Sequence, residues 1–156
     1  MTFIKDLYLK KTTHSQPTSG NYVGQTSSTS YVDVSGSSFN FECSTSQGYE
    51  KVIFEVSIQT GWSPDAGNNE GDLKIVESTD QSSWSDIEKS KVRIEMQATY
   101  HDSTFEHKFI LDPWSGTKYF KAQIKAVSSA TEFKINQRGY TVYPWLSPPI
   151  INVRVI

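Results

Sequence analysis

The chain has 156 residues, with 15 Lys and Arg set against 17 Asp and Glu for a formal charge of -2. That length supports one domain around one core, and so small a charge offers no general attraction to a polyanion such as nucleic acid. The one cysteine, Cys43, cannot form an intrachain disulfide, which excludes a disulfide-stapled scaffold and leaves Cys43 as a small packing residue beside Phe41.

At the N-terminus Phe3, Ile4, Leu7, Tyr8 and Leu9 form a dense apolar group, but Lys5 and Asp6 break any signal-peptide core and no long apolar run follows. The expectation is a protein made in the cytosol without a membrane span. Residues 12–48 are loaded with Ser, Thr and Gly, the composition of a linker. Within them Tyr31-Val32-Asp33-Val34 and Phe39-Asn40-Phe41-Glu42-Cys43 alternate like short strands, with Val34-Ser35-Gly36-Ser37 as the turn between. Residues 1–30 are therefore expected to be an arm and residues 31–156 a β domain. Such an arm buries too little apolar area to offset an ordering cost of about 1–2 kcal/mol per residue, so its order is expected to come from neighbouring subunits.

The clearest strand follows: positions 52, 54, 56 and 58 are apolar and mostly polar residues fill the gaps, a two-residue period that buries one face. Ser63 to Asp72 reads as a long polar loop. Next come strands at 73–77 and 84–87, separated by the turn Asp80-Gln81-Ser82-Ser83, and a strand in which Val92, Ile94, Met96 and Ala98 share a face. Asp112-Pro113-Trp114-Ser115-Gly116 is another turn. After it Phe120, Ala122, Ile124 and Ala126 alternate with Lys121, Gln123 and Lys125; residues 131–135 and 150–156 supply the last strands. No segment carries a helical stripe and no repeat has a fixed period. The prediction is an all-β, antiparallel β-sandwich, jelly-roll-like, with an extended Ser/Thr-rich N-terminal segment; an up-and-down barrel is the structural alternative. Phe54, Val56, Ile94, Phe120 and Ile124 are the expected core.

Candidate chemistry is sparse. His101 and His107, if on one strand, would lie roughly 20 Å apart at about 3.3 Å per residue, too far to share a metal. The loop from Asp65 to Asp72 gathers Asp65, Asn68, Asn69, Glu70 and Asp72, oxygen-rich chemistry of the kind calcium prefers, but lacks the ordered spacing of an EF-hand. Ser115-Gly116-Thr117-Lys118 fits a bare Ser-x-x-Lys pattern without the companion motifs of acyl-transfer enzymes. No catalytic residue, cofactor or metal is expected. Trp62, Trp84, Trp114 and Trp145 all sit at or beside turns, as core caps, subunit-interface anchors or a sugar-stacking platform. The candidate interface comprises Phe3, Ile4, Leu7, Tyr8, Leu9, Trp62, Trp114 and Trp145.

The succession from Ser30 through Phe41, the strand Lys51 to Ile58, the stretch Ser78 to Ile87, the strand Phe120 to Ile124 and the terminal Pro149 to Ile156 resembles bacteriophage virion structural proteins of the small jelly-roll type. The resemblance implies a non-enzymatic, often trimeric particle component: a capsid decoration or cement subunit touching the major capsid protein, or alternatively a tail or head-fibre part or a receptor- or carbohydrate-binding module that meets a surface glycan. Its location would be the virion, with no nucleic-acid or membrane partner.

Overall fold

The alternation at residues 52–58 becomes a strand, β5 (Val52–Thr60), in which Val52, Phe54, Val56 and Ile58 are buried. The computed structural model describes residues 9–13, 24–60, 69–96, 103–130, 133–135 and 150–156. The strands preceding β5 are β1 (Leu9–Thr13), β2 (Gly24–Thr26), β3 (Val32–Asp33) and β4 (Phe39–Cys43). Those following it are β6 (Asn69–Ser78), β7 (Ser85–Asp86), β8 (Val92–Met96), β9 (Ser103–Leu111), β10 (Gly116–Ala126), β11 (Phe133–Ile135) and β12 (Ile150–Val155). Two single-turn 3-10 helices, Thr45–Gln47 and Glu88–Ser90, interrupt them.

Every pairing is antiparallel. The first sheet runs β1-β12-β5-β9; in the second, β3 and β4 flank one side of β10, β6 the other, and β7 and β8 lie beyond β6. With β2 and β11, which pair only with each other, set aside, and β3–β4 and β7–β8 each counted as one interrupted strand, eight strands remain: the first pairs the last, the second the seventh, the third the sixth and the fourth the fifth. The chain is thus a long hairpin folded over on itself, and the added pairings β12–β5 and β10–β6 complete two sheets. Consecutive β9 and β10 fall in different sheets, so the molecule is a sandwich and not an up-and-down barrel.

The inward faces meet in one apolar core. Phe54 of the first sheet and Phe120 of the second touch edge to face at 5.1 Å, with Phe109 stacked on Phe54 at 4.8 Å and Phe39 on Phe120 at 5.4 Å. All five expected core residues are buried. β2 and β11 form a separate ribbon, and β11 lies against both β5 and β6. Its Phe133 is wholly buried over Gly71, where a Cβ would come within 2.1 Å of the Phe133 ring. Only glycine admits that ring.

Both edges of the second sheet break at one level. Ala122 and Ile75 face each other across β10 and β6. Opposite Ala122, the edge leaves the ladder at Val34 and re-enters after Ser37; opposite Ile75, it leaves at Ile87 and re-enters after Ser90. The Val34 N–H donates to the Ala122 carbonyl at 2.9 Å and that of Ile87 to the Ile75 carbonyl at 3.2 Å. In each gap a buried serine hydroxyl replaces the missing strand: Ser37 Oγ accepts from Ala122 N–H at 3.0 Å, and Ser90 Oγ from Ile75 N–H at 2.8 Å. Gly36, at φ +72, supplies the first turn.

Three features differ from the sequence-based expectation. β1 and β2, inside the segment expected to be an arm, pair with β12 and β11 of the same chain, and Ser28 carbonyl accepts from Ala126 N–H at 2.8 Å. At Leu9–Thr13, Gly24–Thr26 and Ser28, backbone hydrogen bonds tie polar positions to the rest of the chain. Residues 69–72 belong to β6 and not to the polar loop expected from Ser63 to Asp72. Finally, β9 occupies residues 103–111, a strand absent from the sequence-based expectation; the alternation Phe105, His107, Phe109, Leu111 carries it.

Candidate functional site

Polar and aromatic side chains gather on the outward face of the second sheet, and the register places them. Lys125 of β10, Asp72 of β6 and Arg93 of β8 stand opposite one another on three adjacent strands. Asp72 accepts from both, Arg93 Nη2 at 3.2 Å and Lys125 Nζ at 3.2 Å. One step along, Asp33 of β3 opposes Gln123 and takes Gln123 Nε2 and Lys121 Nζ, each at 2.7 Å. Asp86 of β7 binds Lys74 and, at 3.0 Å, Lys91, which also reaches Glu88 at 2.6 Å.

Two rings lie on this charged face. The Tyr31 ring sits with Lys74 Nζ at 4.2 Å and Lys125 Nζ at 5.0 Å from its centroid, which covers Lys74 to 8% exposure. Trp84 holds Lys121 Nζ at 4.2 Å, and its Nε1 donates to the Gln81 carbonyl at 3.1 Å. That carbonyl is fixed by the loop after β6: Ser78 Oγ accepts from the N–H groups of Asp80 and Gln81, and the Asp80 carboxylate from those of Ser82 and Ser83. Gln81 is held at φ +62. The turn signal Asp80-Gln81-Ser82-Ser83 is a side-chain-to-backbone network.

The electrostatics close on themselves. Burial raises the Asp72 carboxyl, but hydrogen bonds from Arg93 and Lys125 outweigh it and hold the group below the ordinary aspartate range. The same balance, with Lys121 and Gln123 as donors, lowers Asp33. Asp86 is lowered by hydrogen bonds from Lys74 and Lys91; burial, then Asp72, raises the Tyr31 hydroxyl. These shifts move the carboxylates away from the neutral range in which a general base works. On this face Lys74, Lys91, Arg93, Lys121 and Lys125 are paired to Asp33, Asp72, Asp86 and Glu88.

Among the described residues, those singled out in the sequence do not converge. Of the eight interface candidates, Phe3, Ile4, Leu7, Tyr8, Trp62 and Trp145 lie outside the described residues, and Leu9 opens β1 opposite Arg154. Trp114 is half-buried in the chain's own core, against Phe41 and Phe120 at 5.9 and 5.7 Å, with Nε1 donating to Gly116 carbonyl at 3.0 Å. Ser115 Oγ pairs with Thr45 Oγ1 at 2.7 Å while Lys118 Nζ binds Glu77 at 2.8 Å, so the Ser-x-x-Lys residues turn to different partners. His101 and residues 61–68 lie outside the described residues. His107 Nε2 donates to the Lys89 carbonyl at 3.1 Å. Among the described residues no three His, Cys, Asp or Glu side chains converge as a metal site would require, and no helix is long and apolar enough to cross a membrane. Buried Cys43 lines a half-open pocket of about 280 Å³ with Phe41, Tyr49 and Val155.

Compared with known families and with curated proteins, the chain matches no family model and no curated protein. In the sequence the outward charges Lys89, Lys91, Arg93, Lys121 and Lys125, interleaved with Glu95 and Gln123, read as a solvated sheet face, each an ordinary polar position in its stretch of chain. Only the register shows that they form rows.

Proposed function

We propose that the chain is a non-enzymatic structural subunit of a bacteriophage virion, a trimeric capsid decoration or cement protein. The observation that carries this reading is the strand order. First with last, second with seventh, third with sixth and fourth with fifth, with the β2–β11 ribbon set aside, is the pairing order a double Greek-key jelly roll would have, and it supports that reading of the two sheets; jelly rolls serve viral capsid proteins among others. Fold alone does not assign function; the self-neutralised outward face supports a scaffold role, because its ionisable groups are spent on one another. In a lattice, many modest contacts between symmetry-related copies add.

The test is reconstitution. The purified chain, added to phage heads stripped of their decoration protein, is expected to bind stoichiometrically and raise the temperature at which the heads release DNA. Mass photometry is expected to show three times the mass of the chain. A monomer that leaves the heads unchanged would end this reading.

A glycan-binding tip is the second reading, favoured by Trp84, whose ring is pinned by Gln81 and Lys121 and half exposed. Pinned aromatic planes bind sugars at low entropic cost. Glycan-array binding lost on Trp84→Ala, with head binding absent, would select it.

A further inference from the structure

We propose that β1 is an exchangeable strand: in the assembled protein, Leu9–Thr13 of one copy pairs with the β12 edge of a second copy. This rests on the structural-subunit reading and names the partner, another copy of this chain.

The argument starts from the edges. An open sheet edge presents unpaired N–H and C=O groups and invites pairing with another chain. Both edges of the second sheet are interrupted midway, one at Val34–Ser37 and one at Ile87–Ser90, which leaves segments of two to five residues as templates. The β9 edge of the first sheet is covered by the second 3-10 helix: Lys89 Nζ donates to the Ile110 carbonyl at 3.3 Å, and His107 Nε2 to the Lys89 carbonyl. The remaining edge is the one β1 occupies.

Among the described residues, the backbone ladder that holds β1 there is the one to β12. It pairs β12 over five positions, from Leu9 opposite Arg154 to Thr13 opposite Ile150. Its sequence, Leu-Lys-Lys-Thr-Thr, has a single large apolar residue, whereas β12 is anchored independently by buried Ile151, Val153 and Val155 and by its ladder to β5. Main-chain hydrogen bonds to β12 are the same whichever copy supplies the strand. From Thr13 to the next strand at Gly24 the chain has eleven Cα steps, enough to span up to roughly 36–40 Å. That reach brings a neighbour's β12 within range, and closed symmetry then raises the effective concentration of the exchanged strand.

Register gives the experiment. Lys11 stands opposite Asn152, and directly opposed residues on antiparallel strands lie within disulfide range. A Lys11→Cys chain and an Asn152→Cys chain are refolded together, assembled and oxidised. Exchange predicts a mixed disulfide-linked dimer, absent when Lys11→Cys is paired with Glu42→Cys on the distant β4; the Lys11→Cys/Asn152→Cys double variant gives dimers and higher covalent species. Quantitative closure within single copies of the double variant, with no mixed dimer, would overturn the proposal even if the protein decorates heads. Should these variants fail to fold, isotope-filtered NMR on mixed labelled and unlabelled wild-type chains reads the same point: amide contacts between residues 9–13 and 150–154 cross between copies if β1 exchanges and stay within one copy if it does not.

Discussion

Two kinds of small residue do large structural work. Gly71 leaves room for the Phe133 ring, so Gly71→Ala must push aside either that ring or β6. Overpacking of this kind is expected to cost about 1–3 kcal/mol. A Gly71→Ala/Phe133→Ala double variant, compared with both singles by urea unfolding, should lose less than the sum; full additivity would mean the two do not share the site. Ser37 and Ser90 are buried and complete the ladders of Ala122 and Ile75. Ser90→Ala leaves the Ile75 N–H buried without its acceptor and is expected to cost about 1–3 kcal/mol, read as a shift in the urea midpoint at constant slope. Ile124→Ala, inside the core, should cost about 2–5 kcal/mol because a cavity remains.

At the scale of elements, β10 and β6 carry the face whose ion pairs follow from register. Asp33, Asp72 and Asp86 are each held below the ordinary aspartate range in the folded chain. As pH falls the unfolded chain therefore takes up protons first. The stability these groups contribute is complete above the unfolded value near 4 and is lost as pH drops through their lower folded values. The urea midpoint is expected to stay level from pH 7 to about 5 and to fall below about 4. In Asp72→Asn, Arg93 and Lys125 lose their shared acceptor, so the midpoint at pH 7 should drop and the acid decline become shallower. An unchanged acid limb in that variant would show that Asp72 does not carry its share.

At the scale of the whole molecule, the two sheets are joined along one side by the second 3-10 helix and β9. His107 supplies that link through Lys89 and is not drawn into a metal cluster among the described residues. His107→Ala should cost about 1 kcal/mol, the net worth of one hydrogen bond, and a chelator should leave the melting temperature unchanged. A chelator-dependent fall, restored by one divalent ion, would point back to the loop from Asp65 to Glu70. Removing residues 1–13 strips β1 from β12 while the identified core residues, Val34 to Val155, all remain. The shortened chain is expected to melt cooperatively but to associate through the bared β12 edge, seen as heavier species in sedimentation velocity.

Alternation in β5, β8, β10 and β12 was legible because a two-residue period records directly which face is buried, and with it the all-β class and core positions such as Phe54 and Phe120. The strand order was not legible. Pairing β1 with β12 or β6 with β10 joins residues far apart in the chain, and no local pattern states which edges meet. Nor did composition reveal that the Ser/Thr-rich segment pairs within the fold, since backbone hydrogen bonds leave no mark on side-chain hydrophobicity. The rows Lys125-Asp72-Arg93 and Asp33-Gln123, the serines that complete both broken edges and the meeting of Gly71 with Phe133 arise only when register sets strands side by side. Sequence by itself determined which residues turn inward, because burial is a property of each strand; tertiary structure decided which outward residues meet, because that is a property of pairs.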